Sequence, residues 1–546
     1  MPDLVRIVKA VVAGALLSVL ILFLYTRMQD IPRSIFPLYI ILLVVLLGGS
    51  RFIYRWLKDY GQFRKGERVL IVGAGQAGEG IARDLLRNVE KKYHPVAFVD
   101  DNLVKGGKEI HGIRVIGKCK DIPTIVQRLG IDLIIIAMPS VNSATMRAIV
   151  ELCEEAAVPF RTLPGINDLA SGSVKIESLR EVSLEDLLGR DPVSLDWQTI
   201  NQSIENHSIL VSGGGGSIGS ELCRQIARLA PRKLVVIERN EFNLYSLRLE
   251  LNQLFPDIDF IGHLADIADR VAIKRILQSH SFDMVFHAAA YKHVPMLENQ
   301  LRVAAYNNII GTLVMVEESV AASVKKFVLI STDKAVNPTN VMGASKRAAE
   351  ILCQNYNAHA NTQFITVRFG NVLGSAGSVV PLFRKQIEQG GPVTVTHPEI
   401  TRFFMTIPEA TQLILQATTL GKGGEIFVLD MGEPIKIRYL AEQMIILSGL
   451  IPDKDIEIKY TGLRPGEKLF EELFHENEHL INTSHQKIMR ARARHLDWKR
   501  LIEVLAEMKS ACDNYDEDKL RELLLELVPE YRLDSLSKKI HLVKTA

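Results

Sequence analysis

The residues with the clearest chemical potential follow the strand-like segment FVLIS at 327–331, where Asp333 and Lys334 are adjacent. A carboxyl and an amine both take up and release protons, so this pair suits a reaction that needs an acid and a base close together. The alternative is structural, with Asp333 capping a turn and Lys334 solvated at the surface. In the helix that follows, Met342 and Lys346 are four residues apart and share one face. This stretch is the first candidate for an acid–base site.

A glycine-rich turn upstream predicts how a cofactor is held. The strand SILV at 208–211 runs into SGGGGSIGSE, whose glycine spacing resembles the short-chain dehydrogenase/reductase superfamily. The predicted cofactor loop consists of Gly213, Gly216, Ser217, Ile218 and Gly219. The next strand, KLVVIE, ends at Glu238, where a carboxylate would accept both ribose hydroxyls and repel a 2′-phosphate. We therefore expect NAD to be preferred over NADP.

Further positions fall in the order typical of the extended members of this superfamily. Asp266 follows a strand-like stretch and is expected near adenine, while Ala288 and Ala289 leave room for the cofactor. The helix pair at 342 and 346 is usually Tyr and Lys there, the lysine holding the nicotinamide ribose and the phenol taking a substrate proton. Met342 cannot exchange a proton. Either the domain is inactive or its chemistry uses other groups.

The segment STDKAVNPTNVMGASKR at 331–347 closely resembles one family, the large membrane-anchored UDP-N-acetylglucosamine 4,6-dehydratases of bacterial polysaccharide and glycan biosynthesis. Further matches in the same order are EDLLGRDPV, HAAAYKHVPMLE, VRFGNVLGSAGSVVPLF, TRFFMTIPEA and RPGEKLFEEL, so the resemblance covers nearly all of the chain. Members of this family carry Met where relatives carry Tyr. Met342 is therefore compatible with an active enzyme that resembles the members retaining the C5 configuration.

The resemblance also implies roles for individual residues. Lys334 would be the base at sugar C5, Asp333 the acid at the departing C6 hydroxyl, and Thr332 with Ser331 would orient substrate hydroxyls. A lysine base must be neutral, which burial and the nearby cation of Lys346 would promote. The implied positions for the UDP-sugar are Lys292, Asn371, Arg402, Arg464 and Glu467, of which Lys292 is equally compatible with a plain surface residue.

An earlier segment predicts a separate Rossmann-like domain. The strand RVLIV at 68–72 leads into GAGQAG, and the strand VAFVD ends at Asp100, a plausible ribose ligand. The glycines are equally compatible with a tight strand-to-helix turn alone. The sequence does not identify the ligand of this domain.

Two apolar runs precede both nucleotide folds. Residues 10–25 and 35–49 contain no charged residue, and basic residues follow the second run. The pattern predicts two spanning helices, with the N-terminus and the catalytic domains in the cytoplasm of a bacterium and a multi-pass location in its inner membrane. Buried core helices and a signal peptide are the alternatives.

Composition excludes several classes of protein. Lys plus Arg number 65 and Asp plus Glu 63, so the formal charge is +2. The chain therefore lacks the basic excess that is typical of nucleic-acid-binding proteins. The five cysteines have no metal-ligand spacing, and no metal is expected. The C-terminal stretch from about residue 496 has the apolar periodicity of amphipathic helices. We expect these helices to cap the catalytic domain or to form a contact in a homo-oligomer.

We therefore predict an α/β protein with a transmembrane helical hairpin and two doubly wound parallel-sheet domains, the second an extended short-chain dehydrogenase fold with a C-terminal substrate lobe. The predicted boundaries are 1–60 for the hairpin, 61–163 for the first domain, 164–206 for a connector, 207–495 for the catalytic domain and 496–546 for the helical segment. The expected activity is NAD-dependent dehydration of UDP-N-acetylglucosamine. A UDP-sugar 4-epimerase and a non-catalytic membrane sensor or scaffold are the rivals.

Overall fold

The structure, a computed structural model, separates into two compact units, Met1–Val182 and Ser183–Ala546. It describes residues 66–87, 92–139, 141, 143–163, 180–181, 195–475, 480–491 and 496–532, and, nearer the N-terminus, the helical positions 11, 13–14, 17, 21, 24, 37–43, 45–46 and 49. The domain boundaries given above stay predictions, and most of the expected connector at 164–206 lies outside the described residues.

The predicted transmembrane hairpin is wrong for the part of the chain that the structure describes. No helix there is both long and apolar enough to cross a membrane. The longest helix with described bounds, Val341–Asn357, has 17 residues and is buried, whereas a span takes about 20 apolar residues. About half of residues 10–25 and 35–49 lies outside the described residues, most of it in the first run. The same finding contradicts the predicted multi-pass location in a membrane.

The first unit is a seven-stranded sheet in the order β3-β4-β2-β1-β5-β6-β7, parallel except at its two edges. Its strands are β1 Glu67–Val72, β2 Tyr93–Val99, β3 Glu109–Ile110, β4 Ile113–Gly117, β5 Leu133–Ile136, β6 Phe160–Thr162 and β7 Arg180–Glu181. Its helices are α1 Gln76–Arg87, α2 Ile122–Leu129 and α3 Ser143–Glu155. The apolar runs of β1 and β5 are fully buried, as expected for parallel strands covered on both faces.

The second unit is built on a nine-stranded sheet in the order β10-β9-β8-β11-β12-β13-β18-β22-β21. Its strands are β8 Ser208–Ser212, β9 Lys233–Glu238, β10 Phe260–Leu264, β11 Met284–His287, β12 Lys326–Thr332, β13 Gln363–Phe369, β18 Ile426–Leu429, β21 Ile481–Asn482 and β22 Ile488–Ala491. The strands from β10 to β18 are parallel, and β22 and β21 are antiparallel. Both units therefore confirm the predicted doubly wound α/β fold.

Short strand pairs and helices complete this unit. The pairs use β14 Asn371–Val372, β15 Val393–Val395, β16 Thr401–Arg402, β17 Phe404–Met405, β19 Ile435–Lys436 and β20 Ile458–Tyr460. The helices are α4 Trp197–Ile204, α5 Ser217–Arg228, α6 Glu241–Leu254, α7 Arg270–Ser279, α8 Val294–Leu297, α9 Leu301–Ala304, α10 Gly311–Ala321, α11 Val341–Asn357, α12 Val379–Glu388, α13 Ile407–Leu420, α14 Ile437–Leu447, α15 Trp498–Asp513 and α16 Glu517–Leu527. A π-helical turn, Ala305–Ile310, joins α9 to α10.

The strand order fixes where a ligand can bind in the second unit. Strand β8 lies between β9 and β11, so the chain order reverses between β8 and β11. In open parallel sheets, ligands bind beyond the carboxyl ends of the strands at such a reversal. The glycine turn after β8 and the Asp333–Lys334 pair after β12 both follow carboxyl ends of this sheet.

A buried ion network fastens helix α11 to the sheet. Glu350, on α11, accepts two hydrogen bonds of 2.7 Å from Arg368 of β13, one of 3.0 Å from Arg347 and one of 2.6 Å from Ser331. Burial alone would raise the pKa of the Glu350 carboxyl, but the two arginines outweigh it and lower that pKa to about 2. Arg347 also pairs with Glu530, at 2.8 Å, beyond the end of α16. The network therefore ties the C-terminal segment to the helix that carries Lys346.

We predict that Glu350→Gln destabilises the second unit by about 3–5 kcal/mol, because the variant leaves buried guanidinium charge without its counter-charge. Urea denaturation measures the free energy of unfolding. Glu503→Gln, in an exposed pair with Arg500, is the control and should change it by less than about 0.5 kcal/mol. In the wild type this stabilisation is complete above about pH 4.5 and is lost as the pH falls toward about 2, where the folded carboxyl protonates. An unchanged stability of Glu350→Gln would contradict the network.

Candidate active site

The site lies where β12 gives way to helix α11. Thr332 ends the strand and caps a single 3-10 turn, Asp333–Ala335, by accepting a hydrogen bond from the Lys334 amide. Asn340 caps α11 by accepting from the Gly343 amide at 2.8 Å. These caps satisfy backbone donors that the turn and the helix leave unpaired. They fix where the Asp333 and Lys334 side chains can point.

The Asp333 carboxyl and the Lys334 ammonium form a short ion pair. Lys334 Nζ lies 3.0 Å from Asp333 Oδ1 and donates to Asn371 Oδ1 at 2.9 Å. The Thr332 hydroxyl donates to the same Asp333 oxygen at 2.8 Å. Asp333 is fully buried, and its Oδ2 has no hydrogen-bond partner among the described residues. The structure therefore brings together an acid, an amine and a buried carboxylate oxygen that has no hydrogen-bond partner among the described residues.

The charge on Lys334 differs from the expectation. Burial pushes the pKa of its amine down, but Asp333 and Glu471 outweigh burial, so that pKa is raised above its usual value. Glu471 Oε1 lies 3.9 Å from Lys334 Nζ. At rest the lysine is therefore an ammonium ion, whereas neutrality promoted by burial and Lys346 was expected. The two neighbouring carboxylates are the physical reason.

Lys346 and Met342 lie on α11 as predicted. Lys346 Nζ donates to the Ile330 carbonyl at 2.6 Å, and burial lowers the pKa of its amine to about 8. Met342 is buried in an apolar cluster with neighbours on α10 and α11. Ser331 was expected at the substrate, but its hydroxyl donates to Glu350 in the core. Lys346 therefore places a hydrogen-bond donor beside the end of β12. The Ser331 hydroxyl belongs to the buried ion network around Glu350.

The glycine turn fits a dinucleotide. A Cβ at Gly219 would lie 2.1 Å from the Gly213 carbonyl oxygen, and one at Gly213 would lie 2.6 Å from Ala289 Cα. Ala288 and Ala289 follow β11 directly, and Ser217 begins α5 with Gly216 as its cap. Only glycine permits this approach of the turn to the helix, which leaves the amides of the helix N-terminus facing the predicted pyrophosphate position. The predicted loop is compatible with NAD.

The carboxylates expected at the adenosine end are partly engaged by the protein. Glu238 Oε2 accepts from the Gly215 amide and Oε1 from the Asn240 amide, each at 2.9 Å. A carboxylate oxygen accepts more than one hydrogen bond, so both remain able to receive a ribose hydroxyl. Asp266 Oδ2 lies 3.5 Å from Arg239, whose guanidinium stacks over the Tyr291 ring.

The predicted UDP-sugar residues fall into two groups. Arg402 is buried and lies 3.6 Å from Glu467 and 3.7 Å from Glu471, and Asn371 bonds Lys334. These residues surround the acid–amine pair. Arg464 and Lys292 are exposed and make no ion pair with the described residues.

Two residues that the sequence analysis did not assign contribute to the site. Glu471 lies in the segment RPGEKLFEEL, which contains three glutamates, and nothing in the sequence distinguishes it from the other two. Asn308 lies in the π-helical turn and bonds both the Tyr291 backbone and the Ser345 hydroxyl of α11. A π-helical turn is often a mark of a functional site. No local pattern in the sequence shows that Glu471 approaches the pair after β12 or that Asn308 bonds helix α11.

The first unit presents a similar turn with a different electrostatic environment. Asp100 Oδ2 accepts from the Ala74 amide at 2.8 Å and from Lys105 Nζ at 2.9 Å. A cavity of about 370 Å³ lies beside it, lined in part by Arg114 and Lys118. The predicted ribose carboxylate of this unit is thus paired with a lysine.

The sheet order, the glycine turn and the Asp–Lys pair define an enzyme domain of the short-chain dehydrogenase/reductase type. The profile of the polysaccharide biosynthesis protein family matches residues 209–493, and that of a CoA-binding domain matches residues 2–164. The chain belongs to the polysaccharide biosynthesis protein family, which comprises nucleotide-sugar dehydratases and epimerases. The protein is therefore an enzyme, which excludes the alternative of a non-catalytic sensor or scaffold.

Individual relatives agree with this membership. The capsular polysaccharide biosynthesis protein CapD of Staphylococcus aureus is 42% identical over 523 residues, covering 95% of this chain and 86% of that protein. The probable polysaccharide biosynthesis protein EpsC of Bacillus subtilis is 44% identical over 477 residues, covering 86% and 80%. A UDP-glucose 4-epimerase of Rickettsia rickettsii is 33% identical over 278 residues, covering 50% and 78%.

We predict that Asp333→Asn lowers the pKa of Lys334, because the carboxylate is the largest contribution that raises it. Competitive acetylation of lysines across the alkaline range, read by peptide mass spectrometry, follows that pKa. Lys346, whose pKa is about 8, is the internal control and should titrate alike in both proteins. A wild-type Lys334 that titrates below an ordinary lysine would show that the ion pair is not formed.

Proposed function

We propose that this enzyme catalyses the NAD-dependent 4,6-dehydration of UDP-N-acetylglucosamine to the 4-keto-6-deoxy sugar. The observation that carries the proposal is the buried acid–amine pair, in which Lys334 Nζ and Asp333 Oδ1 are 3.0 Å apart at the carboxyl end of β12. A 4-epimerase moves hydride at C4 and needs no such pair. Elimination of water across C5 and C6 needs a base and an acid around one sugar.

NAD would be held by the glycine turn, by Glu238 and by Lys346. When bound, NAD would supply the hydride acceptor for sugar C4 and, once reduced, the hydride donor for C6, so that the reaction would be redox-neutral overall. The Glu238 carboxylate disfavours a 2′-phosphate in its place. Lys346 keeps a hydrogen-bond donor beside the end of β12, where the superfamily resemblance expects the nicotinamide ribose.

Lys334 and Asp333 would handle the two protons of the elimination. Once C4 carries a ketone, the C5 hydrogen is acidic and the neutral Lys334 amine removes it. Asp333, protonated, gives its proton to the C6 hydroxyl, which leaves as water. The Thr332 hydroxyl, which bonds Asp333 at 2.8 Å, orients this carboxyl.

The C5 configuration would be retained, because the Lys334 amine that removes the proton from one face of the sugar becomes the ammonium that returns a proton to the same face. The side chain of Met342 supplies no acid on another face. Arg402 and Arg464 would contact the diphosphate, since a planar guanidinium matches phosphate oxygens. Asn371, Glu467 and Lys292 are the remaining proposed contacts of the UDP-sugar, with Asn371 also bonding the base.

A UDP-sugar 4-epimerase is the second candidate, because the relative of that name from Rickettsia rickettsii is 33% identical over half of this chain. The two activities differ in the mass of the product. Dehydration releases a UDP-sugar that is lighter by one water, whereas epimerisation leaves the mass unchanged. Mass spectrometry of the product from UDP-N-acetylglucosamine separates them.

We predict that Lys334→Met stops the reaction after C4 oxidation, because only the second step needs the amine. Addition of UDP-N-acetylglucosamine should still reduce the bound cofactor, as its absorbance shows, while no dehydrated product forms and no solvent deuterium enters at C5. Asp333→Asn keeps the shape but cannot protonate the leaving hydroxyl, so C5 exchange should persist while water loss falls by about 100-fold or more. A folded Lys334→Met enzyme that dehydrates at the wild-type rate would rule out this base.

We predict that Glu238→Ala weakens NAD binding and reduces the ratio by which the enzyme binds NAD more tightly than NADP. The variant removes ribose hydrogen bonds, the charge that repels a 2′-phosphate, and the support that Glu238 gives to the Gly215 amide. Calorimetric titration with both cofactors measures the two dissociation constants. Glu241→Ala, an exposed carboxylate in the first turn of α6, is the matched control and should leave both unchanged. Unaltered NAD affinity in Glu238→Ala would move the cofactor site elsewhere.

A further inference from the structure

Glu471 brings a second buried carboxyl group to the Lys334 ammonium. Its Oε1 lies 3.9 Å from Lys334 Nζ and 3.7 Å from Arg402 Nε, and its side chain is only 5% exposed. Its Oε2 has no hydrogen-bond partner among the described residues, as is also true of Asp333 Oδ2. Buried carboxylate oxygens nearly always have a donor. Two such oxygens in one site indicate groups that change partner or protonation during function.

The surroundings of Glu471 make its carboxylate a better proton acceptor than an exposed one. The charged groups that face it are Asp333 and Lys334 after β12, Arg402 on β16 and Lys468 in its own segment. Burial raises the pKa of the Glu471 carboxyl and Asp333 raises it further, and the three cations do not offset this rise. Lys334 and Arg402 together balance the two carboxylates in charge. A proton can therefore move from Lys334 to Glu471 without changing the net charge of the site.

Counting protons through the proposed reaction shows that Asp333 and Lys334 do not suffice. At rest the three groups Asp333, Lys334 and Glu471 share one proton, on the lysine. Oxidation of the C4 hydroxyl to a ketone releases a second proton, which goes to Asp333, and the loss of the C5 proton, which the Lys334 amine takes, adds a third. Departure of water then consumes one, and return of a proton to C5 consumes another, which restores the resting count. At its fullest the site holds three protons, while Asp333 and Lys334 can carry only two.

We propose that Glu471 is the third proton-holding group of this site and takes up the ammonium proton of Lys334, so that the neutral amine can remove the C5 proton. This inference rests on the proposed function. The lysine N–H bond breaks, the Glu471 O–H bond forms, and nothing is oxidised or reduced. The 3.9 Å separation exceeds a hydrogen bond, and rotation of the flexible lysine side chain closes it. Glu471 acts through Lys334 and is therefore a positioning and proton-holding residue.

The test is Glu471→Gln in the full-length protein with bound NAD. The amide keeps the shape of the side chain but accepts no proton. Addition of UDP-N-acetylglucosamine should still reduce the cofactor in a single turnover, while deuterium exchange at C5 and water loss fall by about 100-fold near neutral pH. The rate of the variant should then rise with pH through the alkaline range, as the Lys334 ammonium loses its proton to solvent. The wild-type rate should not rise over that range.

Glu472→Gln is the matched control, since this neighbouring carboxylate bonds Lys468 and is half exposed. Its elimination rate and pH profile should be those of the wild type. The proposal for Glu471 is overturned if Glu471→Gln eliminates water as fast as the wild type, or faster, because its carboxylate would then only hold the ammonium in place. A wild type that never releases water overturns the proposed function itself, so the two failures are distinguishable.

If Glu471→Gln does not fold, as judged by its melting curve, Glu471→Asp carries the test. Aspartate keeps a proton acceptor, so water loss should stay within about ten-fold of the wild type and its rate should not rise through the alkaline range. A folded Glu471→Asp enzyme whose rate rises with pH like the titration of a lysine would contradict the proposal.

Discussion

The site depends on one constraint: the Lys334 ammonium is buried between two carboxylates. Removing a charge from water is costly, and Asp333 and Glu471 offset this cost only because they approach Nζ to 3.0 and 3.9 Å. The arrangement makes a charged amine stable at rest. It also means that proton transfer within the cluster changes no net charge, which suits a reaction that must pass protons between neighbouring atoms of one sugar.

The rest of the second unit positions this cluster. Strand β12 delivers Asp333 and Lys334, β14 delivers Asn371, and the segment after Arg464 delivers Glu471. Helix α11 is held to the sheet through the Glu350–Arg368 pair, and its first turn is joined to Gly466 by the Asn340 amide at 3.0 Å. Groups far apart in sequence therefore converge through a few buried polar contacts, and loosening any one of them would displace the acid or the base.

Much of this could be predicted from the sequence, because the relevant signals are local. Strand β9 coincides with KLVVIE at 233–238, and the apolar strands of both units follow glycine and turn signals in the expected order. The charge of Lys334 was not predictable from local sequence alone, since it depends on Glu471, far along the chain, as well as on the adjacent Asp333. The engagement of Ser331 with Glu350 is likewise a tertiary contact. The hairpin prediction rested on hydropathy and on the basic residues that follow the second apolar run, and no described helix is long and apolar enough to cross a membrane.

The most direct test of the central claim is the fate of the C5 hydrogen when the wild-type enzyme acts on UDP-N-acetylglucosamine in deuterium oxide. Proton handling by Lys334 predicts a 4-keto-6-deoxy product that has lost one water and carries solvent deuterium at C5 in the original configuration, as nuclear magnetic resonance would show. A released UDP-sugar of unchanged mass that keeps its C5 hydrogen would contradict the account.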